Sequence, residues 1–132
     1  MADLAETLVA QGQRFDVVVS SEVIEHVKNP DRFCDTLAAL TRPGGAIAVT
    51  TLNRTPASYA LAIVAAEKLL GMAPDGTHDW RKFVTPEELH MMFRPSGYCL
   101  SQLAGMTMDL RGAWQLTSNV DVNYAAFLTA DA

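Results

Sequence analysis

Apolar residues along this chain recur in two rhythms, one of strands and one of helices. Residues 15–20 form a β-branched run, the pattern of a parallel strand covered on both faces. Residues 46–52 repeat it. Between them Phe33, Leu37, Ala38 and Leu40 recur at helical spacing, with Asn29 or Asp31 as candidate cap and Pro30 in the first turn. Arg42-Pro43-Gly44-Gly45 reads as the stop of that helix, which makes strand, helix and strand one βαβ unit. Upstream, Leu4, Leu8 and Val9 share one face of a short helix that Gly12 closes.

The second half is less regular. An apolar helix is predicted over 57–72, followed by a polar, turn-rich stretch from Ala73 to Phe83. Thr85-Pro86-Glu87-Glu88 carries a capping box and a first-turn proline, so a helix starts there and Gly97 ends it. Residues 98–108 and 122–129 are strand candidates whose connection has no helical period, which predicts an antiparallel pair at a sheet edge. The predicted architecture is α/β, and ligands of such sheets bind beyond the carboxyl ends of the strands. Ser21 and Glu22 lie at one such end, and Thr51, Asn53 and Arg54 at the other.

Composition narrows the function classes. A chain of 132 residues with 49% hydrophobic and 19% charged residues suits one globular domain. A formal charge of −5 with scattered Lys and Arg argues against nucleic acid as a partner. Cys34 and Cys99 have no metal-site spacing and read as two buried thiols in a reducing compartment. The first residues match neither a signal nor a transit peptide, and no apolar run approaches the roughly 20 residues of a membrane span. Met91, Met92, Met106, Met108 and Phe93 read as core filling, His90 as a surface or interface position, and Trp80 and Trp114 as core or pocket walls. His78, in the polar loop beside Asp79, reads as a lid histidine or a general base.

The segments FDVVVSSEVIEHV and DRFCDTLAALTRPGGAIAVTTLN resemble the fourth strand, following helix and fifth strand of class I S-adenosylmethionine methyltransferases. The later text, TLNRTPASYALAIVAAEKLLGMAPDGTHDWRKFVTPEEL and SNVDVNYAAFL, closely resembles the O-methyltransferases of ubiquinone biosynthesis. The resemblance runs from about residue 15 to 128. It implies the C-terminal half of a Rossmann-like class I fold, with parallel strands and a terminal antiparallel pair. Residues 1–132 would form a partial domain lacking the glycine-rich first strand–loop and the second strand, and 54–84 an insertion or lid. Without that upstream part, residues 15–20 become an exposed apolar edge.

The implied activity is methyl transfer from S-adenosylmethionine to a catechol hydroxyl of polyprenylated ubiquinone precursors, with Mg2+ assistance. By position, Ser21 matches the cofactor contact and Glu22, Glu25 and His26 match the metal ligands; no catalytic residue is singled out. On a helix, i, i+3 and i+4 share a face, so these three side chains can converge on one cation, as they also can in a non-haem iron site. Spacing alone favours the plainer reading, acidic residues stabilised in a helix's first turn, and it is the resemblance that points to a metal site. The helix over 57–72 is either buried or laid on a membrane surface. Implied partners are the polyprenylated catechol and a ubiquinone-biosynthesis protein complex. Implied locations are the matrix side of the mitochondrial inner membrane in eukaryotic members and the cytoplasm in bacterial ones. The alternatives are a catalytically inactive interaction module and a methyltransferase for another small acceptor.

Overall fold

The computed structural model describes residues 2–61 and 79–130. Helix α1 (Ala2–Ala10) leads to strand β1 (Phe15–Ser21), helix α2 (Pro30–Leu40) and strand β2 (Thr41–Leu52). A short helix α3 (Pro56–Ser58) follows, then α4 (Pro86–Phe93) and strands β3 (Tyr98–Met108), β4 (Trp114–Thr117) and β5 (Asn123–Ala130). The sheet order is β1-β2-β5-β3-β4, with β1 parallel to β2 and the other pairings antiparallel.

Local signals set most of the element ends. Gly12 takes a left-handed φ of 76°, and the amides of Gly12 and Gln13 close α1 onto the carbonyls of Val9 and Leu8. Of the two candidate caps for α2, Asn29 is the one used, its side chain accepting from the Arg32 amide at 3.1 Å. The capping box of α4 forms in both directions between Thr85 and Glu88. Gly97, at φ 85°, ends the short 3-10 turn that follows α4.

The Arg42-Pro43-Gly44-Gly45 segment is not a loop between α2 and β2. The chain passes from Leu40 directly into β2, and Phe15 pairs with Thr41 while Val17 already pairs with Ala46. The four residues are therefore accommodated as a bulge opposite Asp16. Gly44 has φ 82°, and a Cβ on Gly45 would lie 2.5 Å from the Asp16 carbonyl. Only a glycine pair fits there. An Arg42–Asp16 ion pair spans the bulge at the surface.

One face of the sheet carries the core. Ile47, Val49, Tyr124, Ala126 and Leu128 point into it and meet Phe33, Cys34, Leu37 and Leu40 of α2 and Leu89 and Phe93 of α4. Helix α1 lies against α2, and Ala5, Leu8 and Val9 reach the rim of the core. The expectation that β1 is covered on both faces fails. Val18 and Ser20 are buried beneath the helices, whereas Val17 and Val19 are 56% and 65% exposed.

The antiparallel pair at the end of the chain forms, β3 with β5, but it is not at an edge. β5 inserts between β2 and β3, and β4 closes the far side, a strand the hydrophobic pattern did not announce because Trp114, Gln115 and Leu116 are all exposed. Met91 and Met108, expected in the core, are exposed; Phe93 is buried as expected and Met92 only partly. Trp114 is not core either, being 64% exposed. His90 is half-buried, and its Nδ1 accepts the Leu100 amide at 3.1 Å and ties α4 to β3. No helix among the described residues is long and apolar enough to cross a membrane, and most of the helix predicted over 57–72 lies outside them.

The two cysteines differ, against the expectation of two buried thiols. Cys34 is wholly buried, and burial, reinforced by Asp31 and Asp35, pushes its thiol up to about 12. Cys99 is half-buried, with its sulfur 2.7 Å from an Arg94 guanidinium nitrogen. Because the thiolate is the nucleophile, a disulfide reagent at pH 8 should label Cys99 in the native protein and leave Cys34 until denaturant is added. Equal rates of labelling at both cysteines, resolved by peptide mass mapping, would contradict this packing.

Candidate functional site

Parallel pairing places the carboxyl ends of β1 and β2 side by side. Ser21 stands opposite Thr50, and the ladder continues one step further as the Glu22 amide donates to the Thr50 carbonyl at 2.9 Å. The side chains follow the backbone. Ser21 Oγ lies 2.9 Å from Thr50 Oγ1, and Thr50 Oγ1 donates in turn to Glu22 Oε1 at 3.4 Å. Two hydroxyls and a carboxylate thus line up at an exposed strand end, where sequence placed Ser21 and Glu22.

The helix assumed after Ser21 does not form. Glu22 has φ 56°, the only non-glycine residue with positive φ among those described, and the chain then makes a single 3-10 turn, Ile24–His26. A left-handed non-glycine residue costs on the order of 1–3 kcal/mol and is often retained at functional sites. The i, i+3, i+4 argument therefore loses its α-helical premise. Glu25 turns inward, is 5% exposed, and accepts from Thr51 Oγ1 at 2.7 Å. His26 stays outside with its Nε2 3.8 Å from Glu25 Oε1 and its side chain 56% exposed. Among the described residues no group of three or more His, Cys, Asp or Glu side chains is arranged to hold a metal ion. Glu25 and His26 approach each other, Glu22 engages Thr50, and the three do not form one ligand set as they stand.

At the end of β2, the remaining candidates serve the frame. Asn53 is 6% exposed; its Nδ2 donates to the Val120 carbonyl at 2.8 Å, while its Oδ1 is buried without a partner. Arg54 donates to the Phe83 carbonyl at 2.8 Å and pairs with Glu88 Oε1 at 2.9 Å. Trp80 donates from Nε1 to the Thr55 carbonyl at 3.0 Å and to the buried Ser58 Oγ at 3.1 Å. Both ends of the stretch expected to be an insertion are thereby tied to the end of β2 and the start of α4. His78 lies outside the described residues.

Sequence reasoning missed Thr50 and Tyr124. The alternation of β2 leaves Thr50 and Thr51 on opposite faces at its carboxyl end, and that pattern was the available signal for Thr50. Tyr124 is wholly buried and donates to the Val84 carbonyl at 2.7 Å. Burial, then the nearby carboxylates led by Glu88, with Glu25 among them, raise its phenol well above the ordinary value. It stays neutral and acts as a strut.

Comparison with known proteins agrees with this architecture. A family profile described as "Methyltransferase domain" matches residues 2–103. The chain is 46% identical over 126 residues to the mitochondrial ubiquinone biosynthesis O-methyltransferase of Arabidopsis thaliana, a match covering 95% of this chain and 39% of that protein. It is 42% identical over 127 residues to the mitochondrial protein of the same name from Rattus norvegicus, covering 96% and 37% respectively. With the ubiquinone biosynthesis O-methyltransferase of Azorhizobium caulinodans it shares 48% identity over 121 residues, covering 91% and 48%. The chain therefore spans less than half the length of these relatives. In fold it resembles an S-adenosylmethionine-dependent methyltransferase from Thermotoga maritima, with a TM-score of 0.60 at 13% identity over 90% of this chain and 57% of the other. The CcbJ methyltransferase from Streptomyces caelestis gives a TM-score of 0.57 at 17% identity, covering 90% and 62%.

The geometry makes two stability predictions. Thr51→Val removes the donor to a buried carboxylate and should destabilise the fold by about 2 kcal/mol in denaturant melts, since an unsatisfied buried charged group costs at least 1–3 kcal/mol; an unchanged midpoint would mean that Glu25 finds water instead. Glu88 gives a pH signature. Partial burial pushes its carboxyl up, but hydrogen bonds from Arg54 and Thr85 and the Arg54 charge outweigh this and hold it below the ordinary 4.5. A depressed folded pKa means stabilisation present above 4.5 and lost as pH falls through the folded value. Arg54→Met should flatten the acid limb of the melting-temperature profile; an unchanged slope would show that solvent screens the pair completely.

Proposed function

This chain belongs to the methyltransferase-domain family, and from that premise we propose that it forms part of an S-adenosylmethionine-dependent O-methyltransferase of ubiquinone biosynthesis. The observation that carries the reading is the identity, 42–48% over more than nine-tenths of the chain, to relatives bearing that name. The proposed acceptor is a catechol hydroxyl of a polyprenylated ubiquinone precursor. The proposed setting is a ubiquinone-biosynthesis complex at a membrane, on the matrix side of the inner membrane if the source is eukaryotic and in the cytoplasm if it is bacterial.

S-adenosylmethionine supplies an electrophilic methyl group when bound. What this chain offers is position. Ser21, paired with Thr50, is the proposed cofactor contact at the end of β1, where the chain leaves the strand through a left-handed turn at Glu22. Glu25, held by the Thr51 hydroxyl, is fixed in place beside the end of β2. Such fixed groups act by orienting the reactants of an in-line transfer.

Glu22, Glu25 and His26 are the proposed magnesium ligands by resemblance, but among the described residues they are not gathered into one ligand set and do not fit the ion as they stand.

The test is a chimera in which this chain replaces the matching part of the Arabidopsis relative, assayed with S-adenosylmethionine and either a polyprenyl catechol or a soluble catechol, with and without EDTA. Methylation of the polyprenyl substrate is the expected result, and Ser21→Ala should raise the cofactor KM severalfold. Turnover of the soluble catechol alone would favour a different small acceptor. A folded chimera with no turnover would favour the inactive interaction module, and EDTA sensitivity abolished by Glu25→Gln would restore the metal assignment.

A further inference from the structure

Ser21, Thr50 and Glu22, at the mouth of the site, have few protons between them, and that number fixes which way each hydrogen bond runs. A carboxylate only accepts, so in the contact between Thr50 Oγ1 and Glu22 Oε1, at 3.4 Å, the hydroxyl is the donor. A hydroxyl has one proton to give. With Thr50 directed at Glu22, the 2.9 Å bond between Ser21 Oγ and Thr50 Oγ1 runs from Ser21 to Thr50. The reverse order would set the lone pairs of Thr50 against the Glu22 carboxylate. Hydrogen bonds at such sites are often long before a ligand is seated, and the Thr50–Glu22 bond has room to tighten. The backbone beneath it is fixed, because the Thr50 carbonyl accepts the Glu22 amide at 2.9 Å.

Ser21 is exposed and gives its own proton to Thr50, so its oxygen is left to a ligand as an acceptor. The ligand group seated there has to be a donor. The Glu22 carboxylate beside it favours a donor that is also positively charged, since charge-assisted hydrogen bonds are the stronger ones. S-adenosylmethionine has two cationic groups, of which the sulfonium has no proton to donate. Its protonated amine meets both conditions. Its carboxylate would face a lone pair and a like charge, and its hydroxyls and ring amine are neutral donors that gain less from Glu22.

We propose that Thr50 is a positioning residue that, directed by the Glu22 carboxylate, holds the Ser21 hydroxyl as a hydrogen-bond acceptor for the protonated amine of the cofactor. The proposal rests on the reading of Ser21 as a cofactor contact and not on any particular methyl acceptor.

The test measures binding without turnover, by titration calorimetry of the Arabidopsis chimera with S-adenosylhomocysteine, its analogue lacking the amine and its analogue lacking the carboxylate. In the parent, loss of the amine should weaken binding about tenfold, the range of one charge-assisted hydrogen bond. Thr50→Val keeps the shape of the side chain without its hydroxyl, and should cut the amine penalty to about twofold while the carboxylate penalty stays as in the parent. Thr50→Ser, which keeps the hydroxyl, should restore the full amine penalty. An amine penalty as large in Thr50→Val as in the parent, a loss of affinity shared equally by all the probes, or no rescue by Thr50→Ser would each overturn the proposal. A parent chimera that binds none of the probes would overturn the cofactor contact and this proposal with it. One that binds them as expected but methylates no catechol would overturn the acceptor reading and leave Thr50 in its place.

Discussion

The parallel register of β1 on β2 is the constraint on which the rest of this structure depends. Side chains on a strand alternate between faces, so a slip of one residue would send Val18 and Ser20 outward and Val17 and Val19 into the core. The register is held by a bulge at Arg42–Gly45 that only two adjacent glycines can turn, one for its left-handed backbone and one for the closeness of Asp16. With the bulge in place, Ser21 meets Thr50 and the two strands end level. The hydroxyl pair, the turn at Glu22 and the inward path of Glu25 all follow from that level ending.

Inward rotation of Glu25 couples the site to the core. A carboxylate that is almost fully buried must be hydrogen-bonded, and Thr51 provides the bond from the face of β2 opposite to Thr50. Adjacent threonines therefore divide the labour: Thr50 serves the exposed mouth and Thr51 the buried floor. Tyr124 on β5 lies behind them, neutral and bonded to the Val84 carbonyl, and Arg54 with Glu88 fixes the start of α4 beside it. The exposed groups at the mouth thus rest on a floor that packing and hydrogen bonds immobilise, as orientation of a ligand requires.

Much of this fold was legible in the sequence because its signals are local. Asn29-Pro30, Gly12, and Thr85 with Glu88 each act within one helical turn, and each did in the structure what its chemistry dictates. The placement of Ser21 and Glu22 at a strand end was equally legible, being set by where a β-branched run stops. Long-range choices were not. Nothing around Val122 says that β5 inserts between β2 and β3, and β4 has no buried face to give it an alternating pattern. The helix expected over the Glu22–His26 stretch failed for a related reason. Its spacing fits a helix, but the Glu22 amide is taken by Thr50 across the sheet, and the chain must turn left-handed before it can coil. Met91 and Met108 failed as core residues because apolar character says what a side chain tolerates and not what lies opposite it.

The position of the hydroxyl pair relative to the sheet carries the last step. Ser21 belongs to β1, the strand whose other edge is open among the described residues, and Ser20 beneath it has a buried hydroxyl with no partner. A ligand resting on Ser21 and Thr50 meets hydroxyls from two strands and, at the same mouth, the Glu22 carboxylate. These groups orient one side of a ligand, and small-molecule sites bury most of their ligand's surface. Their mutual placement is set by the level ending of β1 and β2, so the register, more than any one side chain, decides what the site can hold.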